Sequence, residues 1–126
     1  MHRSRLCTLA IDCSTDNLSV GGGFWSQALG RPISASDDPA KDKYVALETR
    51  ADEMIVLLQK VDHPSRVHPD IETDDVEAEV MRLEKLGARR LEKIKTWWVM
   101  ETPTGHRFCV VRPQRGELPA NANRWE

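Results

Sequence analysis

Cys7, Cys13 and Cys109 are too few, and too irregularly spaced, for a disulfide framework or a paired-cysteine zinc motif in a chain of 126 residues. The first ten residues, MHRSRLCTLA, hold no long apolar segment and no small-residue cleavage site, so a reducing cytoplasm is the expected setting. Long apolar runs are missing as well. Nothing approaches the ~20 residues that cross a bilayer, which excludes a spanning helix. Neither sign of charge is in excess: 18 Lys and Arg stand against 20 Asp and Glu. The basic residues are scattered rather than striped, which argues against a nucleic-acid partner. The run Gly21-Gly22-Gly23 is followed by no Gly-Lys-Ser or Gly-Lys-Thr, and its spacing fits no dinucleotide fingerprint, so a phosphate loop is set aside.

What is present suits one globular domain. Apolar residues make up 40% of the chain and charged residues 30%, and a chain of this length buries roughly two thirds of its unfolded surface. The most ordered pattern lies in residues 67–111. Val67, Pro69 and Ile71 alternate with His68, Asp70 and Glu72, as in a strand with one polar face. Asp74 stands at an N-cap position with Glu77 three residues on, which predicts a helix from about Asp75. Val76, Val80, Leu83 and Leu86 then line one side, Glu77, Glu79, Arg82, Glu84 and Lys85 the other, and Gly87 ends the helix. Strands are predicted over 89–94, 96–101 and 107–111, with a turn at Pro103, Thr104 and Gly105.

The first half repeats this order. Residues 5–12 alternate as a half-buried strand, and Thr15 and Asp16 offer a cap. Val20, Phe24 and Ala28 then recur every four residues in a helix over 17–29 that stops at Gly30. Missing side chains at the triple glycine are expected to let that helix lie close against a sheet, at up to ~1 kcal/mol of lost helix propensity each. Strands are predicted over 31–36, 44–49 and 54–61, with a turn-rich loop over 37–43. A shift of 60 aligns Cys7 with Val67, Ile11 with Ile71 and Thr8 with His68, the last pair on the face away from the helix. Two βαβββ modules in an α+β fold follow, module one over about 5–61 and module two over about 66–113, within a single domain spanning 1–126. Residues 114–126 lack periodicity and read as a loose tail or an arm docking on a partner subunit.

Taken in order, Asp16 with Phe24-Trp25 and Leu29-Gly30, His68 with Asp74-Asp75 and Leu86-Gly87-Ala88, and Pro103 through Cys109 resemble the vicinal oxygen chelate superfamily. Within it the chain is similar to small glyoxalase-like proteins related to bleomycin-resistance proteins, from Arg5 to about Pro113. The resemblance implies a cavity enclosed by mixed and antiparallel sheets, a homodimer, and either ligand capture or a metal-assisted lyase, isomerase or dioxygenase. It also implies four metal-ligand places, which fall here on Thr8, on Leu57 or Gln59, on His68 and on Cys109. Thr and Leu are poor ligands for an octahedral oxygen and nitrogen site. No cofactor is therefore favoured. A divalent ion held by His68 and Cys109 would need Gln59 or Asp70 to complete it.

Without metal, His68 is the candidate acid or base, with Asp70 or Glu72 on the same strand face at ~7 Å spacing. The plainer reading makes His68 a hydrogen-bonded strand residue and Cys109 a small buried hydrophobe. Trp97 and Trp98, adjacent on a strand, face opposite ways, and one could wall a planar organic ligand. The competing reading has both indoles simply pack, one under a helix and one at a subunit contact. Thr8, Gln59, His68, Trp97, Trp98 and Cys109 are thus the candidate contacts for a small organic ligand, and Tyr44, Arg66 and His106 could add polar groups.

Overall fold

The computed structural model describes residues 1–36 and 42–126. The first module runs through strand β1 (His2–Ser14), helix α1 (Leu18–Leu29), β2 (Tyr44–Ala46) and β3 (Ile55–Val61). The second runs through β4 (Arg66–Thr73), α2 (Val76–Lys85), β5 (Arg89–Ile94), β6 (Trp97–Glu101) and β7 (Arg107–Val111), and a short β8 (Asn123–Trp125) closes the chain. This is the α+β arrangement of two modules that the repeat implied. By contacts the chain divides into a unit Thr8–Val67 and a unit made of Met1–Cys7 with His68–Glu126, so β1 contributes to both.

In the unit Thr8–Val67, β3 pairs parallel with β1 and antiparallel with β2, giving an open mixed sheet. Leu9, Ile11 and Cys13 pack with Val45, Val56 and Leu58 against Leu18 and Trp25 of α1, so Thr8, Ala10 and Asp12 take the other face. The triple glycine sits where the helix meets this sheet. A Cβ on Gly21 would lie 3.2 Å from Leu58 Cδ2 and 3.3 Å from Cys13 Sγ, and one on Gly22 3.4 Å from Val45 Cγ1. Asn17, rather than Thr15 or Asp16, caps α1, its Oδ1 accepting from Ser19 N at 3.1 Å. The strand expected over 31–36 reduces to one bridge, Ile33 with Leu47. Pro32 has no N–H to extend the ladder, and the bridge is held by Ser34 N donating to Ala46 O and Glu48 N donating to Pro32 O. Apart from Asp42 and Lys43, the loop expected over 37–43 lies outside the described residues.

In the other unit, β4 pairs parallel with β7, β7 antiparallel with β6, and β6 antiparallel with β5. This sheet too is mixed and open. Helix α2 seals one face, where Val76, Val80 and Leu83 meet Ile71, Trp98, Met100, Phe108 and Val110. Of the two aspartates before α2, Asp75 is the cap, accepting from Ala78 N at 3.0 Å. Asp74 instead accepts from Arg3 N at 2.8 Å and Arg3 Nε at 3.2 Å.

Two helix positions reverse the expected pattern. Leu86 follows the last helical residue and is 66% exposed, while Glu79 is fully buried. The tail explains Glu79. Residues Asn123–Trp125 pair antiparallel with His2–Ser4, and Leu118 and Ala122 are buried, so the segment is neither loose nor an arm for a partner but a strand docked on its own chain. Trp125 Nε1 donates to Ser4 Oγ at 2.8 Å, and its ring lies 3.8 Å from the Arg82 guanidinium carbon. Glu79, beneath them, accepts from Arg82 Nε at 2.8 Å and Nη2 at 2.9 Å and is bonded to His2 Nε2 at 2.8 Å.

Candidate functional site

Alternation along β4 turns Ile71 toward α2 and therefore His68, Asp70 and Glu72 toward the opposite face. His68 Nε2 lies 3.5 Å from Asp70 Oδ1, and both side chains are nearly buried, at 12% and 13% exposure. Asp70 stands in register with Cys109 on β7, and Cys109 with Val99 on β6. The imidazole, carboxylate and thiol donor atoms of His68, Asp70 and Cys109 all lie within 4.8 Å of one another. Beside them Cys7, Cys109 and Val111 form an apolar cluster with Trp97 and Val99 packed against it. The face thus combines a polar pair, a thiol and an indole. Glu72, the third acid of the row, is committed to structure: it accepts from Arg5 Nε at 2.6 Å and Gln114 N at 2.9 Å.

The remaining candidates fall elsewhere. Trp98 packs on the α2 side, with the Arg90 guanidinium carbon 5.0 Å from its ring, so of the two indoles only Trp97 shares the Cys109 cluster. Thr8 and Gln59 belong to the unit Thr8–Val67. Thr8 is buried at 3% exposure on the face away from α1, in register with Ile55. Gln59 is in register with Asp12 on one side and Tyr44 on the other, and with Tyr44 and His63 it lines a cavity of about 890 Å³. His106 is exposed in the β6–β7 turn, bonded to Thr104.

Sequence reasoning passed over three groups. Cys7 contributes to the apolar floor beside Cys109. Asp12, 3% exposed, has Arg66 Nε at 3.7 Å and His63 Nε2 at 3.9 Å, and Arg5 holds Glu72. The available signal was the shift of 60, which sets Asp12 opposite Glu72. Partial burial, and then the charge of Asp12, push the Cys13 thiol up. That makes it a poor nucleophile.

A βαββ module with one further β-bridge, and a βαβββ module, each with polar strand residues on the face away from its helix, define a protein of the vicinal oxygen chelate superfamily. A family model described as glyoxalase-like domain matches residues 8–111, and the chain belongs to that family. Solved structures with this fold include methylmalonyl-CoA epimerase from Mycobacterium tuberculosis, with TM-score 0.64 and 13% identity over 86% of this chain and 87% of the epimerase. A glyoxalase/bleomycin resistance protein/dioxygenase superfamily member from Vibrio splendidus 12B01 gives TM-score 0.52 and 21% identity over 85% of this chain and 98% of its own. An extradiol ring-cleaving dioxygenase from B. fuscum gives 0.59 and 15% over 86% of this chain, which spans 32% of that larger protein. At these identities the likeness is one of fold. No curated protein matches the sequence, and no described helix is long and apolar enough to cross a membrane.

Proposed function

We propose that this protein binds a small organic ligand on the strand face of the unit that carries β4, β6 and β7. The observation that supports this reading is the combination there of the nearly buried His68–Asp70 pair with an apolar floor of Cys7, Cys109, Val111, Trp97 and Val99. Ligand sites are characteristically apolar with a few convergent polar groups. Trp97 offers a flat wall for a planar compound, and His68 and Asp70 supply orienting hydrogen bonds. The same reading takes the protein as a cytoplasmic homodimer that needs no metal, and sedimentation of the purified chain tests the dimer.

Chelator-treated protein, screened by thermal shift against planar aromatic compounds, is expected to be stabilised by one chemical class, with the shift reduced to baseline in Trp97→Ala. A bound ligand present at 100 times its Kd adds about 2.7 kcal/mol, which such a screen resolves. Stabilisation that survives unchanged in Trp97→Ala removes this face as the site. The second reading, a divalent-metal-dependent lyase, isomerase or dioxygenase, is favoured by one observation, the convergence of three donor atoms at His68, Asp70 and Cys109.

A further inference from the structure

We propose that the cavity on the α2 side of the sheet, between the start of that helix and the turn joining β5 to β6, binds a small planar compound carrying phosphate groups, of the nucleoside phosphate class. It lies on the face opposite His68, Asp70 and Cys109 and shares no residue with the ligand face proposed above. Its volume is about 570 Å³, within the span of about 300–1,000 Å³ usual for small-molecule sites. Trp98 forms part of the wall, and Lys93, Lys95 and Arg112 stand around it. Lys93 is in register with Trp98 across the ladder, which sets both on one face.

The cavity is lined by both signs of charge, but only the acids are committed. Asp74 accepts from Arg3 N and Nε, Asp75 from Ala78 N within α2, and Glu77 from Arg90 Nη1 at 3.2 Å and Nη2 at 2.7 Å. Lys93 adds its charge to that last pair. Among the ion pairs and side-chain hydrogen bonds of the described residues, none involves the Lys95 amine or the Arg112 guanidinium. The helix end is not the binding group, because Asp75 caps it with a carboxylate of its own. Cations on two separate segments suit a ligand with several negative charges: a guanidinium forks onto two phosphate oxygens, and ammonium groups act as point charges. Trp98 supplies the flat surface for a ring. Arg90 covers part of it, its guanidinium carbon 5.0 Å from the ring, so the ligand meets the remainder.

Lys95 carries an independent mark. Its φ is 51°, and among the described residues no other non-glycine lies in the left-handed region. Lys95 and Thr96 alone join β5 to β6, and in such two-residue turns Asn or Gly is the ordinary choice, because a longer side chain's Cβ crowds the backbone. A lysine here costs strain and returns nothing in packing, since its side chain is exposed. What it does place is a cation at the cavity.

The test titrates full-length, nitrogen-15-labelled protein with ADP, in chelator and at low salt, and follows the four tryptophan indole N–H signals, assigned through bonds in the wild type. ADP should shift the Trp98 signal saturably. Adenosine and inorganic pyrophosphate, which carry the ring and the charge separately, should each bind at least about tenfold more weakly, and salt raised from about 0.05 to about 0.5 M should weaken ADP by a similar factor. Lys95→Asn gives the turn a residue it prefers and removes the cation. It should melt no lower than wild type yet bind ADP at least about threefold more weakly, a split that a purely structural lysine does not produce. Arg112→Gln should act to a similar degree, and the double variant should lose at least about tenfold. Both side chains are exposed, so both variants should fold. No saturable shift at Trp98, adenosine binding as tightly as ADP, wild-type affinity in the double variant, or an ADP response confined to the Trp97 signal overturns the site. Ligand capture on the other face is decided by Trp97→Ala, so the two proposals fail separately.

Discussion

Gly21 and Gly23 occupy the same helix two residues apart and differ in what a methyl group would meet. At Gly21 the new Cβ would come within 3.2 Å of Leu58, a side chain with no exposure at all, and 3.3 Å of Cys13 Sγ; at Gly23 nothing lies within 4 Å. Gly23→Ala should therefore realise the ordinary helix gain of about 0.5–1 kcal/mol. Gly21→Ala, whose gain is opposed by crowding in a packed core, should fall below wild type. Urea unfolding of both variants checks the contrast, and equal gains would mean that α1 rides higher on its sheet. The purpose of the glycine run was legible in the sequence, since no phosphate chemistry accompanied it. Which of the three approach the sheet was not, because that depends on the seating of α1 over Leu58. The site shows the same boundary. The His68-x-Asp70 spacing put two donors on one face from local pattern alone, but the placing of Cys109 beside Asp70 follows from β4 and β7 being neighbours, which no local spacing encodes.

Elements with strong periodicity were read to within a residue or two, as for β5, β7 and α2, because alternation and helical spacing report burial directly. Short elements were not. Strand β8 has three residues and β2 three, too few to establish a period. The tail's two large apolar residues, Leu118 and Trp125, set no period between them and were its only signal. Its docking makes an element-scale prediction. Trp125→Ala removes the ring over Arg82 and the donor to Ser4, and should cost about 2–4 kcal/mol as a large aromatic truncation at a partly buried site. Hydrogen exchange at His2–Ser4, the partner of β8, should then accelerate ahead of exchange in β5 to β7. Unchanged protection there would show that β1 holds these residues without the tail. The repeat also reappears in the structure as chemistry: each unit carries a strand carboxylate beside an arginine, Asp12 with Arg66 in one and Glu72 with Arg5 in the other. The shift of 60 aligned the two acids but could not show that both are paired.

For the molecule as a whole, the consequential ionisable group is Glu79, which ties together both chain ends and α2. Burial pushes its carboxyl up, yet hydrogen bonds from Arg82, His2 and Ser4, with the charge of Arg82, outweigh burial and hold it below the usual glutamate range. A carboxylate depressed in the folded state adds stability that is fully present above its unfolded value, about 4.3, and is lost as pH falls through the lower folded value. Asp74 and Glu77 are also held low, by hydrogen bonds from Arg3 and Arg90 respectively, so acid sensitivity of the wild type alone cannot be assigned to Glu79. The comparison with Glu79→Gln isolates it. At neutral pH this variant should be less stable by about 2–3 kcal/mol, toward the low end for a broken buried pair because the Arg82 side chain is 25% exposed. That difference should stay constant from pH 7 down to about 5 and shrink steadily below about 4, as protonated Glu79 comes to resemble the amide. Urea melts of both proteins across that range measure it. A gap that persists unchanged at pH 3 would assign Glu79 a role in packing rather than in charge, and the docking of the tail would then depend on shape alone.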